Sequence, residues 1–191
     1  MELTDLRKMR GKQIAVTNGL ILTLLTIYFV MISVLDVTFS VLFLILGISI
    51  LIQAILGFLK SDSTKSFIPI FEQVANYEKQ KMGREWNKQR RMGFIWNLIL
   101  SGLMFMQYYF SRGSTDHVFQ IDFTFMFVIT LIALGLINIS LFLHIRKVDR
   151  STSELDMKGY TWKSSLVAVV VGVVLAVASI AFIMFYILSN L

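Results

Sequence analysis

The sequence predicts an all-α integral membrane protein with five transmembrane helices, and three observations lead there. Hydrophobic residues make up 56% of the 191 positions against 16% charged, too apolar a balance for an ordinary soluble domain. Apolar runs of roughly membrane-crossing length recur at 14–35, 37–59, 93–110, 121–145 and 164–188; at ~1.5 Å of rise per residue they match a hydrocarbon core of about 30 Å. Lysine and arginine avoid these runs and gather between them. The chain therefore reads as a single bundle over 1–191: two helical hairpins, a C-terminal helix, and two basic loops at 60–92 and 146–163.

Charge sets the orientation. Of the 18 Lys and Arg residues, 17 lie in 1–13, 60–92 and 146–163, and only Arg112 lies in the connector 111–117. Short basic loops stay cytoplasmic, so the N-terminus is expected inside and the C-terminus outside, in a multi-pass protein of the plasma membrane. Trp86, Trp96 and Trp162 fall near the inner ends of the spans and Tyr108, Tyr109 and Tyr186 near the outer ends, as interfacial aromatic belts do. The net charge of +6 sits beside apolar runs, which makes anionic phospholipid headgroups the expected counter-charge and argues against nucleic acid.

Taken in order, the first apolar run follows a basic start but is 22 residues long with no small-residue cleavage site, so it reads as a retained span rather than a signal peptide. Asp36 is placed to cap the second span, closing a tight hairpin with the first. The fourth span opens on Asp122-Phe123-Thr124-Phe125, echoing Asp36-Val37-Thr38-Phe39; the echo is either one good outer cap used twice or the trace of a parallel duplication. Within the basic loop 60–92, residues 61–66 read as turn, and Pro69 suits the first turn of a helix. Beyond it only Gly83 interrupts, so this helix is expected to run on into the third span. Phe71, Val74, Ala75, Met82 and Trp86 share one side of it with Glu78 and Glu85, an imperfect amphipathic face.

Polar residues inside the spans are the candidate site. Asn18, Gln53, Asn97 and Asn138 all fall about 7–12 Å from the inner ends by helix rise and form one amide layer. Such a layer is either hydrogen-bond glue between helices or a polar pocket open to the cytoplasm; glue is the expected reading, because none of the four is ionisable and transport coupling calls for a charge. Small residues step by four beside it, at Ala15, Gly19 and Thr23, at Gly93, Asn97 and Ser101, and at Ala168, Gly172 and Ala176. Gly19 and the Ala168, Gly172, Ala176 stripe are expected to seat neighbouring helices, the latter docking the fifth span on the hairpins.

Chemistry has little foothold. There is no cysteine, the two histidines are His117 and His144, and no His, Asp and Glu grouping has metal-ligand spacing. Neither catalytic residues, metal nor cofactor are expected. The chain reads as a non-enzymatic accessory, regulatory or immunity-type partner of another membrane protein, with a small transporter or permease subunit using the amide layer as the alternative.

Overall fold

A computed structural model describes residues 3–34, 37–60, 62–113 and 123–189, and every regular element among them is helical. The helices are α1 (Leu3–Val34), α2 (Phe39–Leu59), α3 (Pro69–Met82), α4 (Arg84–Ser111), α5 (Phe123–Arg150) and α6 (Tyr160–Ser189), with one 3-10 turn at Glu154–Met157. Among the described residues four stretches are long and apolar enough to cross a membrane: Thr4–Met31, Phe39–Leu59, Thr130–Arg150 and Glu154–Ala178. Several long apolar helices of this kind are compatible with a multi-pass membrane protein. The third expected span lies within α4, where Asn97, Ser101, Gln107, Tyr108 and Tyr109 lower the hydropathy.

The helices do not pair as the expected hairpins. Among the described residues, α2 packs along α4, whereas α1 packs on α3 and α5 and makes no extended contact with α2. Gly47 is the reason α2 and α4 come so close: the Ser101 hydroxyl, buried, donates to its carbonyl at 2.9 Å. A side chain at Gly47 would meet Phe105 at 3.2 Å, and one at Gly57 would collide with Phe94. Ala54, fully buried, completes this small-residue seam. Gly47 meets Ser101 and Gly57 meets Phe94, so the two helices run antiparallel.

Two local expectations are corrected. Asp36 and Asp122 lie outside the described residues, and the cap on α2 is Thr38, whose hydroxyl accepts the Val41 N–H at 3.5 Å. The helix begun at Pro69 does not continue unbroken into the third span, because Gly83 adopts φ 54° and ψ −124°, a conformation only glycine takes readily. That break frees the start of α4 from the axis of α3.

The small-residue stripes fare differently from one another. Ser101 is buried in the seam, but Gly19, Ala168, Gly172 and Ala176 are exposed, and none of the described residues lies within 4 Å of the space a side chain would fill at Gly19 or Gly172. The expected docking of α6 through its stripe is therefore not what holds it. Helix α6 meets α4 at its first turn, and Leu166, Val170, Val173, Val174 and Val177 remain exposed beyond. Steric permission for close approach is not attraction, and within a lipid-like setting apolar helices gain nothing from each other by hydrophobicity.

Apart from the α2–α4 seam, the buried side chains gather at the basic end of the molecule. Met82, Trp86, Val148 and Met157 form one cluster and Met9, Ile70 and Val74 another. Ile70, Val74, Glu78 and Met82 recur every four residues along α3, so its buried stripe runs through a carboxylate. The 3-10 turn supplies Met157 and is fixed by a capping box between Ser153 and Asp156.

Candidate functional site at the basic end

Arg10 is the centre of the site. It lies on α1, only 5% exposed, and burying a guanidinium is costly unless its donors are matched. One amino group donates to Glu78 on α3 at 2.8 Å and to Gln13 at 2.8 Å. The other donates to Asp149 on α5 at 2.7 Å, and Nε reaches the same carboxylate at 3.3 Å. This fork on a carboxylate is the geometry guanidinium provides and ammonium does not. The face of Tyr77 lies 5.2 Å from the same guanidinium. Gln13 joins because it is three residues beyond Arg10 and shares its side of the helix.

The network continues into α6. His144 Nε2 stands 3.4 Å from the Glu78 carboxylate, and its Nδ1 lies 2.9 Å from the Tyr160 hydroxyl. Burial would raise the Glu78 carboxyl, but His144 and Arg10 outweigh it and hold the group below the ordinary carboxylate value. Arg10, Glu78, His144, Asp149 and Tyr160 thus tie α1, α3, α5 and α6 through one connected set of polar atoms.

A second buried carboxylate anchors α6 to α4. Glu85, 6% exposed, accepts the backbone N–H of Thr161 at 3.3 Å in the first turn of α6, and Lys88 pairs with it at 2.8 Å. The Thr161 hydroxyl returns a bond to the Glu85 carbonyl at 3.3 Å. A carboxylate at a helix N-terminus satisfies free N–H groups and meets the positive end of the dipole. Burial opposes ionisation of Glu85; Lys88, Thr161 and the Gly159 N–H overcome it and lower its pKa. Glu78 and Glu85, which spoil the amphipathic pattern in the sequence, are the two residues the site is built on.

Trp86 forms the floor beside them. Lys79 and Arg90 sit over its ring at 5.2 and 4.7 Å, and both reach out to the loop that precedes α3: Lys79 donates to the Asp62 carbonyl at 2.8 Å and Arg90 to the Ser63 carbonyl. These bonds fold residues 62–66 down against α3 and α4. Between them and α1 opens a polar cleft of about 340 Å³.

The amide layer divides. Asn18 and Asn138 exchange two hydrogen bonds, 3.0 Å and 2.8 Å, and Asn138 also donates to the Leu134 carbonyl at 2.8 Å. With Arg10 on Asp149, this makes α1 and α5 antiparallel. Gln53, exposed, and Asn97, half-buried, enter no side-chain hydrogen bond among the described residues, and α2 and α4 hold them away from the asparagine pair. Asn138→Leu should therefore lower the stability of the purified protein by about 0.6–2 kcal/mol while Asn97→Leu is nearly silent. In unfolding measurements, the double variant Asn18→Leu/Asn138→Leu should cost little more than either single change, since the pair is lost once.

Nothing among the described residues groups three His, Asp or Glu side chains about a common metal position. Arg10 makes four hydrogen bonds with its five N–H donors and works as a clasp; His144 is held between a carboxylate and a phenol. Comparison with known protein families, with characterised proteins and with solved structures finds no match to this chain.

Proposed function

We propose that the chain is a non-enzymatic membrane protein of five spans, with α4 as the third, its basic end in the cytoplasm and its C-terminus outside. It serves as an accessory, regulatory or immunity-type partner of another membrane component. The observation that carries the reading is α6: it is fastened at its foot by Glu85 and Tyr160, and among the described residues its apolar length from Leu166 to Val177, with the Ala168, Gly172, Ala176 stripe, is exposed. A helix held by one end and smooth along one face offers a second membrane helix a close approach. The buried charges meanwhile satisfy each other, which suits a scaffold more than a reacting centre.

The chain has no cysteine, so single thiols report cleanly. A photo-crosslinker on Gly172→Cys in native membranes should trap one distinct protein, and adducts with lipid alone would remove the partner reading. For orientation, an impermeant thiol reagent applied to intact cells should label Gly113→Cys and spare Ser63→Cys. A permease subunit is the second reading, favoured by Gln53 and Asn97, which lack the mutual bonds that occupy Asn18 and Asn138.

A further inference from the structure

The cleft beside Arg90 has the composition and the depth of a lipid headgroup site. Gln13 on one wall immediately precedes the apolar run that begins at Ile14, and Arg90 on the other lies three residues, about 4.5 Å of helix, before the run that begins at Gly93. Both walls therefore stand where hydrocarbon gives way to water.

Two cations reach the cleft, Lys65 from the loop and Arg90 from α4. Lys65 is exposed and its ammonium has no partner among the described residues. Arg90 is the opposite case, held in place over Trp86 and, at 5.9 Å, over Phe94, with one amino group on the Ser63 carbonyl and other donors unused. Thr64 and Ser66 add hydroxyls; the Ser66 oxygen already accepts the Ile68 N–H, so its proton is free to donate outward. The carboxylate in the lining, Glu78, is turned onto Arg10, which it shares with Asp149, so it opposes an anion only in part while Lys65 and Arg90 bring two positive charges to the cleft. Phe71 and Val74 give the same cleft an apolar side.

We propose that this cleft binds the phosphodiester headgroup of an anionic phospholipid, with Arg90 and Lys65 on the phosphate, the Thr64 and Ser66 hydroxyls on its oxygens or glycerol, and Phe71 against the start of the acyl chains. A preset guanidinium and a mobile ammonium together recognise a phosphate, one by directed donors and the other by charge. The site rests on the membrane reading and needs neither the partner nor the orientation.

The test uses the full chain, reconstituted in bilayer nanodiscs and then released into detergent with equal amounts of phosphatidylglycerol and phosphatidylcholine, and counts bound lipids by native mass spectrometry. The wild type should retain phosphatidylglycerol in preference, by about fivefold per cation engaged. Lys65→Glu, a change at an exposed side chain without contacts, should bring the two lipids to parity with the melting temperature of the lipid-free protein unchanged. Lys158→Glu, the same change of charge in the other basic loop, should leave the preference intact. Equal retention of both lipids by the wild type, or the same loss in both variants, would overturn the site while the membrane reading stands. Displacement of the lipid by millimolar inorganic phosphate would overturn the lipid as its occupant. A chain that does not enter nanodiscs would bring down the membrane reading, and the site with it.

Discussion

Arg10→Leu should destabilise the protein by about 3–5 kcal/mol, the usual consequence of removing one partner from a buried ion pair. The arginine is shared by Glu78 and Asp149, so the substitution strands two carboxylates at once and leaves Gln13 without its donor. Unfolding of the purified protein in detergent measures it. Adding Glu78→Gln to Arg10→Leu should recover part of the loss, because an amide tolerates burial better than an unpaired carboxylate. A loss below 1 kcal/mol in the single variant would mean that the clasp contributes little.

The pH dependence follows from the same residues. The folded Glu78 carboxyl lies below its ordinary value, so the unfolded chain binds the proton more readily and stability falls on acidification. Its contribution is complete above the unfolded value of about 4.3, declines below it, and is gone once pH passes the folded value. In Arg10→Leu the guanidinium no longer helps to offset burial, so the folded value rises toward the unfolded one and the share of the acid loss that Glu78 contributes should shrink.

Trp86→Ala is the second large change. The indole is 4% exposed among Met82, Val148 and Met157, and deleting a buried aromatic of this size costs about 3–5 kcal/mol. It also removes the seat of Lys79 and Arg90, the two cations that hold the 62–66 loop by its carbonyls. Backbone amides from Ser63 to Ser66 should then exchange hydrogen faster, while those of α2 and α4 in the Gly47 to Ser101 seam keep their protection. Trp86→Phe, which retains most of the volume and a weaker ring face, should fall between.

Helix existence was legible in the sequence because length and apolarity declare it: α2 covers 39–59 where 37–59 was expected, and Pro69 does open α3. Helix partnership was not. A residue facing lipid and a residue facing a neighbouring helix are equally apolar, so the sequence could not say that α2 prefers α4 to α1. The stripe Ala168, Gly172, Ala176 has the same spacing as a packed seam and is exposed among the described residues, whereas Gly47, which makes the real seam, stood in no such pattern. The asparagines were readable as a layer by depth, but which of them meet depends on the pairing of α1 with α5. Glu78 and Glu85 looked like flaws in an amphipathic helix because their partners, Arg10 and Thr161, lie 68 and 76 residues away.

Those separations impose an order on biogenesis. Helices α2 and α4 are joined through α3 alone and can find each other while the ribosome is still making the rest. The two contacts that hold α1 to α5 span 120 residues, from Asn18 to Asn138, and 139 residues, from Arg10 to Asp149. At synthesis rates of about 5–20 residues per second, α1 waits roughly 7–30 s for its partner to emerge. Throughout that interval Arg10 has no carboxylate from α5; Glu78 of α3 arrives first, 68 residues on, so α3 is the helix that can seat α1 early, while the guanidinium edge meant for Asp149 stays in water until α5 is made.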